Sequence, residues 1–382
     1  MLRIGIIKTV NGVRNSKFVR RNAMKKMCGL WLFVALMVSM GISLAQQPRG
    51  QTEKKPLPLQ FTQALPLEGV HGRFDHFTAD TANARIFLSA LGNDSVEVID
   101  TTRGARIHSI TGLGMPQGVV YVPEFDKLFV GDRVAGPQQR DEEGKGNVKI
   151  FDASTPEFKL LDTIEFHADC DNLRYDPASK RVYVGFGDGP TAGIAMIDAA
   201  TNKRVGEFAL GAHPESFQIE KSGDRIFVNI ADANQVAVID PKTGSINKWA
   251  LKGLANNFPM ALDEEHKRIF IGVRMPPRFA VLDADSGNVI VSLPAAPAMD
   301  DLYYDANLKR IYVPGEGFIS VFQQDDADHY HFVANVPTTP GAHTAGFFSG
   351  VGKKSKGGGT FVLAVPARGG KVAEVWFYAP QP

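Results

Sequence analysis

Polar residues recur at one position of a pattern that repeats along most of the chain. Counting back five residues from the turn that follows the innermost strand of each repeat gives a polar residue in five repeats: Asp75, Gln117, Asp171, Glu215 and Asp300. The same count gives Phe258 in the fifth repeat and, more loosely, Ala345 in the last. Carboxylates grouped in this way can bind a cation, accept hydrogen bonds or move a proton, provided that the fold brings them together.

Further polar side chains flank these positions and complete a candidate ligand-binding set. Arg133 and Arg274 end the second strands of their repeats. An arginine beside carboxylates can bind an anionic or zwitterionic ligand, or it can neutralise the charge of the acids. The whole set is Arg73, Asp75, His76, Gln117, Arg133, Asp169, Asp171, Asn172, His213, Glu215, Arg274, Asp300, Asp301 and His343. The structural alternative is that polar residues at strand entrances cap the preceding loops or line a water-filled channel.

Some of these residues are potential metal ligands. The hard carboxylate oxygens suit calcium or magnesium and belong to Asp75, Asp171, Glu215 and Asp300. Histidines would favour zinc or iron, and those near the repeats' entrances are His71, His76, His167, His213 and His343. No pair has a close ligand spacing on one helix, so a metal site depends on the fold. The sequence therefore assigns no metal ligand, keeps a divalent metal as an option and predicts no other cofactor.

The repeat predicts how these residues are positioned. Four segments are versions of one unit: NARIFLSALGNDSVEVID from Asn83, SKRVYVGFGDGPTAGIAMID from Ser179, GDRIFVNIADANQVAVID from Gly223 and HKRIFIGVRMPPRFAVLD from His266. The unit ends in an acid or amide at intervals of 52, 46, 42, 43 and 40 residues: Asp100, Asp152, Asp198, Asp240, Asp283 and Gln323. Repeats of this length, with short strands and no helical pattern, indicate β-propeller blades. We expect the aspartates to cap the turns that follow them.

Counting the repeats predicts an all-β, seven-bladed β-propeller. Six copies begin near Phe74, Gln117, Cys170, Pro214, Phe258 and Asp300, and a degraded seventh runs from His343 to the strand AEVWFY. This last copy lacks an outer strand, whereas LPLQFTQALPLEG from Leu57 resembles the outer strands of other copies. We therefore predict that an N-terminal strand closes the last blade and removes the open edges. Sevenfold arrangement would bring the strand entrances together around the axis of one face.

The repeat pattern R-[IV]-[FY]-V…VxVID…TxxxxxxI resembles the YncE-like, YVTN-repeat family of seven-bladed β-propellers over about residues 57–382. Members of this family are usually exported, and some carry a DNA-binding label. The wider superfamily includes lactonases and the propeller subunits of quinone-linked amine dehydrogenases. No catalytic signature of those enzymes matches this sequence residue by residue, and a shared fold does not by itself imply a shared activity.

The amino terminus has the pattern of an export signal. Lys25 and Lys26 precede an apolar stretch over residues 30–44, and small residues precede Gln46. We predict a signal peptide over residues 1–45, with Met24 as an alternative start, a flexible leader over residues 46–56 and the propeller over residues 57–382. The expected location is the periplasm or the extracellular medium, with no stable membrane span in the mature form.

Removing the predicted signal changes the charge of the chain. Residues 1–45 hold eight of the 42 basic residues and none of the 41 acidic ones, which leaves 34 basic against 41 acidic residues and a formal charge of −7. This excess of negative charge argues against nucleic acid as a partner, because such binding relies on neutralising phosphates. Cys28 leaves with the signal, so Cys170 is unpaired and no disulfide framework is expected. We expect a monomer.

Three classes of function fit this sequence to different degrees. The absence of a catalytic triad, phosphate loop or cofactor motif favours an exported, non-catalytic propeller that binds a small ligand, peptide or protein on its polar axial face. The alternative is a metal-assisted hydrolase of the lactonase kind, in which a metal polarises a carbonyl and a carboxylate or histidine acts as base. An electron-transfer partner is disfavoured, since redox cysteines and haem-attachment residues are missing. The sequence does not decide whether the protein is an enzyme, and the absence of a catalytic motif favours a protein without enzymatic activity.

Overall fold

A computed structural model describes residues 56–134, 145–166, 168–352 and 358–382. The predicted signal peptide and nearly all of the predicted leader lie outside these residues, as does His167. In the described part of the chain, no helix is both long enough and apolar enough to cross a bilayer.

The described residues form seven four-stranded antiparallel sheets, and each sheet is one blade of a propeller. Strand β1 spans Leu59–Leu67. Blade 1 contains β2 Phe77–Asp80, β3 Arg85–Ala90, β4 Ser95–Asp100 and β5 Ala105–Ile110. Blade 2 contains β6 Pro116–Val122, β7 Lys127–Val134, β8 Lys145–Asp152 and β9 Leu160–Glu165. Blade 3 contains β10 Cys170–Asp176, β11 Arg181–Phe186, β12 Gly193–Asp198 and β13 Lys203–Ala209.

The remaining blades follow in chain order. Blade 4 contains β14 Phe217–Ile219, β15 Ile226–Ile230, β16 Gln235–Ile239 and β17 Ile246–Ala250. Blade 5 contains β18 Ala255–Asp263, β19 Arg268–Met275, β20 Pro277–Asp283 and β21 Val289–Pro294. Blade 6 contains β22 Tyr303–Asp305, β23 Arg310–Gly315, β24 Phe318–Gln324 and β25 Tyr330–Pro337. Blade 7 contains β26 Ala345–Ser349, β27 Gly359–Val365 and β28 Ala373–Pro380 together with β1. Short 3₁₀ turns lie at Leu91–Asn93 and Gly189–Thr191.

One hydrophobic cluster fills each interface between neighbouring blades. The cluster between blades 7 and 1 joins Leu65, Leu67 and Val375 to Ile86 and Leu88. Six further clusters join the other neighbouring pairs of blades in turn. Because both faces of a blade are covered in this way, its middle strands are continuous apolar runs rather than alternating ones.

The N-terminal strand β1 closes blade 7, as predicted. It pairs antiparallel with β28, from Leu59 opposite Pro380 to Leu67 opposite Ala373. The sheet order is β26, β27, β28, β1, so the two ends of the propeller are joined within one blade. This pairing gives the backbone groups of β28 a partner and therefore leaves no open edge on that strand.

The aspartates that end the third strands cap turns, which confirms their predicted structural role. Oδ1 of Asp198 accepts hydrogen bonds from the backbone nitrogen and the hydroxyl of Thr201, at 2.8 and 2.7 Å. The same backbone capping occurs at Asp100, Asp152, Asp240 and Asp283. These carboxylates are satisfied within their own turns, so the recurring acid of the repeat is not a candidate for the functional site.

Candidate functional site

The entrances to the inner strands meet around one cavity, which we call the axial cavity. Its volume is about 320 Å³. The lining residues are Arg73, Asp75, His76, Gln117, Asp171, Asn172, Glu215, Ser216, Phe258, Arg274, Ala298, Asp300 and His343. They lie in, or just before, strands of all seven blades. Polar side chains that are 40 or more residues apart in the chain therefore line one shared cavity.

Irregular strand pairing turns several of these residues toward the cavity. The register shifts between Pro116 and Val119 in β6, and between Cys170 and Leu173 in β10. Gln117, Asp171 and Asn172 lie inside these two shifts, and Phe258 lies inside a third one in β18. A β-bulge re-aims side chains relative to the regular alternation of a strand. The orientation of these entrance residues is thus set by local irregularities in the strand pairing and not by the regular alternation of side chains along a strand.

Ten of the fourteen predicted site residues line the axial cavity. The other four are Arg133, Asp169, His213 and Asp301. Arg133 and Asp169 form an ion pair at 3.6 Å. His213 contacts Asp171, and Asp301 lines a second cavity further along the channel. His71, which was only a metal candidate, does not line either cavity, and its backbone nitrogen donates to Asn93.

Asp171 is the centre of the charged network. Its Oδ1 lies 3.5 Å from Nε2 of His76, and its Oδ2 lies 3.7 Å from Nε2 of His213. The amide nitrogen of Gln117 is 3.5 Å from the same Oδ1. Nε2 of His76 is also 3.8 Å from Oδ1 of Asp75. One carboxylate thus faces two histidines, one with each oxygen.

His213 is held in a defined orientation. Its Nδ1 lies 2.8 Å from the carbonyl oxygen of Gly187 and 3.1 Å from a carboxylate oxygen of Asp188. A carbonyl can only accept a hydrogen bond, so Nδ1 carries the proton and Nε2 is turned toward Asp171.

The surrounding carboxylates keep both histidines charged. Burial alone would lower the pKa of His76, but Asp75 and Asp171 outweigh it and raise that pKa to about 9. Burial also opposes the charge on His213, yet the carboxylates of Asp171 and Asp188 raise its pKa to about 11. Both imidazoles are therefore protonated at neutral pH in this arrangement.

The pKa values of the acids at the site shift in opposite directions. Burial and then repulsion from Asp171 raise the pKa of Glu215 to about 7, and the pKa of Asp169 to about 6. Burial also raises the pKa of Asp75 to about 7 and raises that of Asp301. For Asp171, burial is outweighed by the neighbouring imidazoles of His213 and His76, and its pKa is held far below the usual range. Asp171 is therefore the permanent anion of the site.

Each predicted arginine lies beside an acid. Arg73 is 3.7 Å from Asp75, and Arg274 forms an ion pair with Asp300. The Arg274 guanidinium also donates to the carbonyl oxygen of Met299 at 3.0 Å and lies 3.4 Å from the centre of the Phe258 ring. With Arg133 beside Asp169, these contacts have the geometry of charge compensation rather than of an open anion grip.

Several buried oxygens at the site accept no hydrogen bond. Within the described residues they are Oδ2 of Asp75, Oε1 of Gln117, Oδ1 of Asp169 and Oδ1 of Asn172. Gln117 is 8% exposed and Asn172 only 3%. A buried polar atom without a partner is costly, so the cavity has unused capacity for a group that donates hydrogen bonds or carries positive charge.

Two groups of side chains have metal-ligand geometry. The first consists of Asp75, His76 and Asp171, and the second of Asp171, His213 and Glu215. In each group, one ligand atom from every residue lies within 4.8 Å of the others. Three of the four carboxylates proposed as metal candidates belong to these groups, whereas Asp300 does not.

The second cavity contains residues that the sequence analysis missed. Its volume is about 370 Å³, and its lining includes Thr78, Arg174, Gln218 and Tyr303. Each of these lies three residues after an entrance position used above. Alternate residues of a strand share a face, so the position two residues after His76, Asn172 and their equivalents in the other repeats faces the same way. Including that position in the sequence analysis would have found these four residues. Ser216, one residue after Glu215, was missed although it follows the same count.

Comparison with known proteins supports the fold. No protein-family model matches the chain, and no characterised protein matches it in sequence. Among solved structures, the "Crystal Structure of Mitotic Checkpoint Complex" contains a similar chain, with a TM-score of 0.65 and 13% sequence identity. The similarity covers 90% of this chain and 98% of that chain. At this identity the likeness shows the fold alone, and the chain is a seven-bladed β-propeller.

Proposed function

We propose that this chain is an exported, non-catalytic β-propeller that binds a small ligand in the axial cavity. One observation carries the proposal: side chains from all seven blades converge there, and the buried side-chain atoms that lack a hydrogen bond are oxygens. A ligand that donates hydrogen bonds or carries positive charge satisfies them. A small molecule or ion is favoured over a protein surface, because three of these oxygens, on Asp75, Gln117 and Asn172, belong to side chains that line a cavity of about 320 Å³.

Two further arguments support parts of this proposal. The repeats resemble those of the YncE-like, YVTN-repeat family, whose members are usually exported, and residues 24–45 have the pattern of a signal peptide. The arginines of the site already lie beside acids, so a purely anionic ligand gains little from them. The preferred ligand class is therefore cationic rather than anionic.

Thermal unfolding with a ligand panel tests this function. The panel contains primary amines, divalent metal salts and simple carboxylates, and the proteins are wild type, Asp75→Asn and the control Asp240→Asn. Asp240 caps an exposed turn outside the cavity. We expect cationic probes to raise the Tm of wild type and control but not of Asp75→Asn, because a ligand of the folded state stabilises it. The proposal fails if only carboxylates stabilise the protein, or if Asp75→Asn responds like the control.

Metal-assisted hydrolysis is the second candidate, and one observation favours it. Each of the two His-containing groups places an imidazole between carboxylates, as expected for ligands of a metal that activates water. Hydrolysis of lactones and simple esters, measured with zinc-loaded and with chelator-treated protein, tests it. Turnover that depends on the metal and disappears in Asp171→Asn would replace the binding function by catalysis.

A further inference from the structure

The two His-containing groups of the axial cavity share a single residue, Asp171. Its Oδ1 faces His76 in the first group, and its Oδ2 faces His213 in the second. A carboxylate that turns one oxygen to each of two ligand sets has the arrangement of a bridge between two metal ions. Paired metal ions in proteins lie roughly 3.5–4 Å apart, a distance that a bridging carboxylate spans.

The distances within the groups suit metal ligands better than hydrogen bonds. The three separations between histidine Nε2 and carboxylate oxygen are 3.5, 3.7 and 3.8 Å. A good charged N–H···O bond is about 2.7–2.9 Å long. Ligand atoms about 2.1 Å from a tetrahedral metal are about 3.4 Å from one another, by the geometry of the tetrahedron. The histidines thus stand at the separation at which an ion fits between them and the acids.

The environment of His213 matches that of a metal ligand. Its Nδ1 donates to the Gly187 carbonyl oxygen at 2.8 Å, so Nε2 faces Asp171 and Glu215 and is the nitrogen from which a divalent ion would displace the second proton. Metal-binding histidines usually donate their second ring nitrogen to a carbonyl or carboxylate in this way, and the bond fixes the tautomer and the ring orientation.

A separate observation comes from the neutral side chains of the cavity. Gln117 and Asn172 are more than nine-tenths buried, line the axial cavity and each present an oxygen that accepts no hydrogen bond. Amide oxygens are ordinary metal ligands or partners of metal-bound water. These two amide oxygens belong to neutral side chains, and each can bind a metal ion or accept a hydrogen bond from a water molecule on it.

From these observations we infer that the axial cavity binds two divalent metal ions of the zinc or iron class, bridged by Asp171. The first ion is held by Asp75, His76 and Asp171, and the second by Asp171, His213 and Glu215. The imidazole in each group selects these metals over calcium and magnesium, which prefer oxygen-only sites. The inference rests on the proposed function, because it names the ligand of the same cavity.

Metal stoichiometry in equilibrium dialysis tests the inference. Untagged full chain is stripped with a chelator and dialysed against low-micromolar Zn²⁺, and bound zinc per chain is measured by elemental analysis. We expect two ions in wild type, one in His76→Gln, one in His213→Gln and none in Asp171→Asn. His331→Gln is the control and keeps two, because His331 is exposed, its imidazole pairs with Asp325, and it does not line the axial cavity. An excess of Mg²⁺ or Ca²⁺ does not displace the zinc.

The outcomes separate the two-metal site from simpler alternatives. Zinc-free wild type, a wild type that binds one ion which both histidine variants lose, or displacement by Ca²⁺ would each overturn the inference. Circular dichroism melts establish that each variant is folded, and the two histidine variants keep the test decisive if Asp171→Asn does not fold. If amines stabilise wild type selectively while zinc does not bind, the proposed function stands and only the metal inference fails. If neither binds, both fail.

Discussion

Gly118 and Asp171 meet backbone to backbone where blade 2 packs on blade 3. A β-carbon on Gly118 would overlap the carbonyl oxygen of Asp171 and crowd a methyl group of Leu173. Gly118 has an ordinary negative φ, so the requirement for glycine here is one of space and not of backbone conformation. The residue at the centre of the charged network is thus positioned by the absence of a side chain on the neighbouring blade.

Gly118→Ala is expected to displace Asp171 and to destabilise the fold by about 1–3 kcal/mol or more, because a packed backbone yields less easily than a flexible side chain. The matched control is Gly185→Ala, whose new β-carbon would lie 3.3 Å from Cγ of Pro214. Urea unfolding and zinc binding are measured for both variants. Equal stability and equal zinc binding in Gly118→Ala and wild type would contradict the positioning role of Gly118.

The raised pKa of Glu215 predicts a pH dependence of stability in chelator-treated protein. Burial and repulsion from Asp171 raise this pKa from 4.5 to about 7 in the folded state. The folded state then binds the proton more tightly than the unfolded state, so this contribution is fully present below about pH 4.5 and is lost as the pH rises through 7. Glu215→Gln removes the titration.

We therefore expect Glu215→Gln to gain stability relative to wild type as the pH rises from 4.5 to above 7. Urea unfolding midpoints of both proteins, measured across this range with chelator present, check the direction. A difference between the two proteins that stays constant, or that changes in favour of wild type, would contradict a raised pKa at Glu215.

Leu65 in the closing strand β1 is expected to stabilise the fold through its burial. This residue is buried in the cluster between blades 7 and 1, so Leu65→Ala removes packing at the ring closure. We expect a loss of about 2–5 kcal/mol in the free energy of unfolding. Leu57→Ala is the control in the same segment, since Leu57 is 46% exposed, and should change stability by less than about 0.5 kcal/mol. Similar losses in both variants would mean that β1 does not contribute through burial.

Export predicts a shortened mature protein. Intact mass spectrometry of the protein recovered from the periplasm or the medium should give a chain that begins at or near Gln46 and contains one unpaired cysteine, Cys170. Recovery of the chain with residues 1–45 retained in the cytosol would contradict the signal peptide. It would also restore the near-neutral formal charge of +1.

The sequence alone determined the architecture of this protein. Its repeat interval, its apolar strand pattern and the match between the N-terminal segment and the outer strands predicted seven blades closed by β1, and the sheet order confirms both. These features are local, because strand pattern and turn chemistry depend on residues close together in the chain. The same periodicity selected the entrance positions, and ten of the fourteen chosen residues line one cavity.

Only the tertiary structure decided which of those residues face one another. Periodicity treats Asp171 and Asp300 alike, yet Asp171 lies between two histidines and Asp300 beside Arg274. It also could not place Asp301 in the second cavity rather than in the axial one. The reason is physical: register shifts within single strands and the close approach of neighbouring blades at Gly118 set the direction of each side chain. The contact between Gly118 and Asp171 joins residues 53 positions apart, and a repeat pattern carries no information about such contacts.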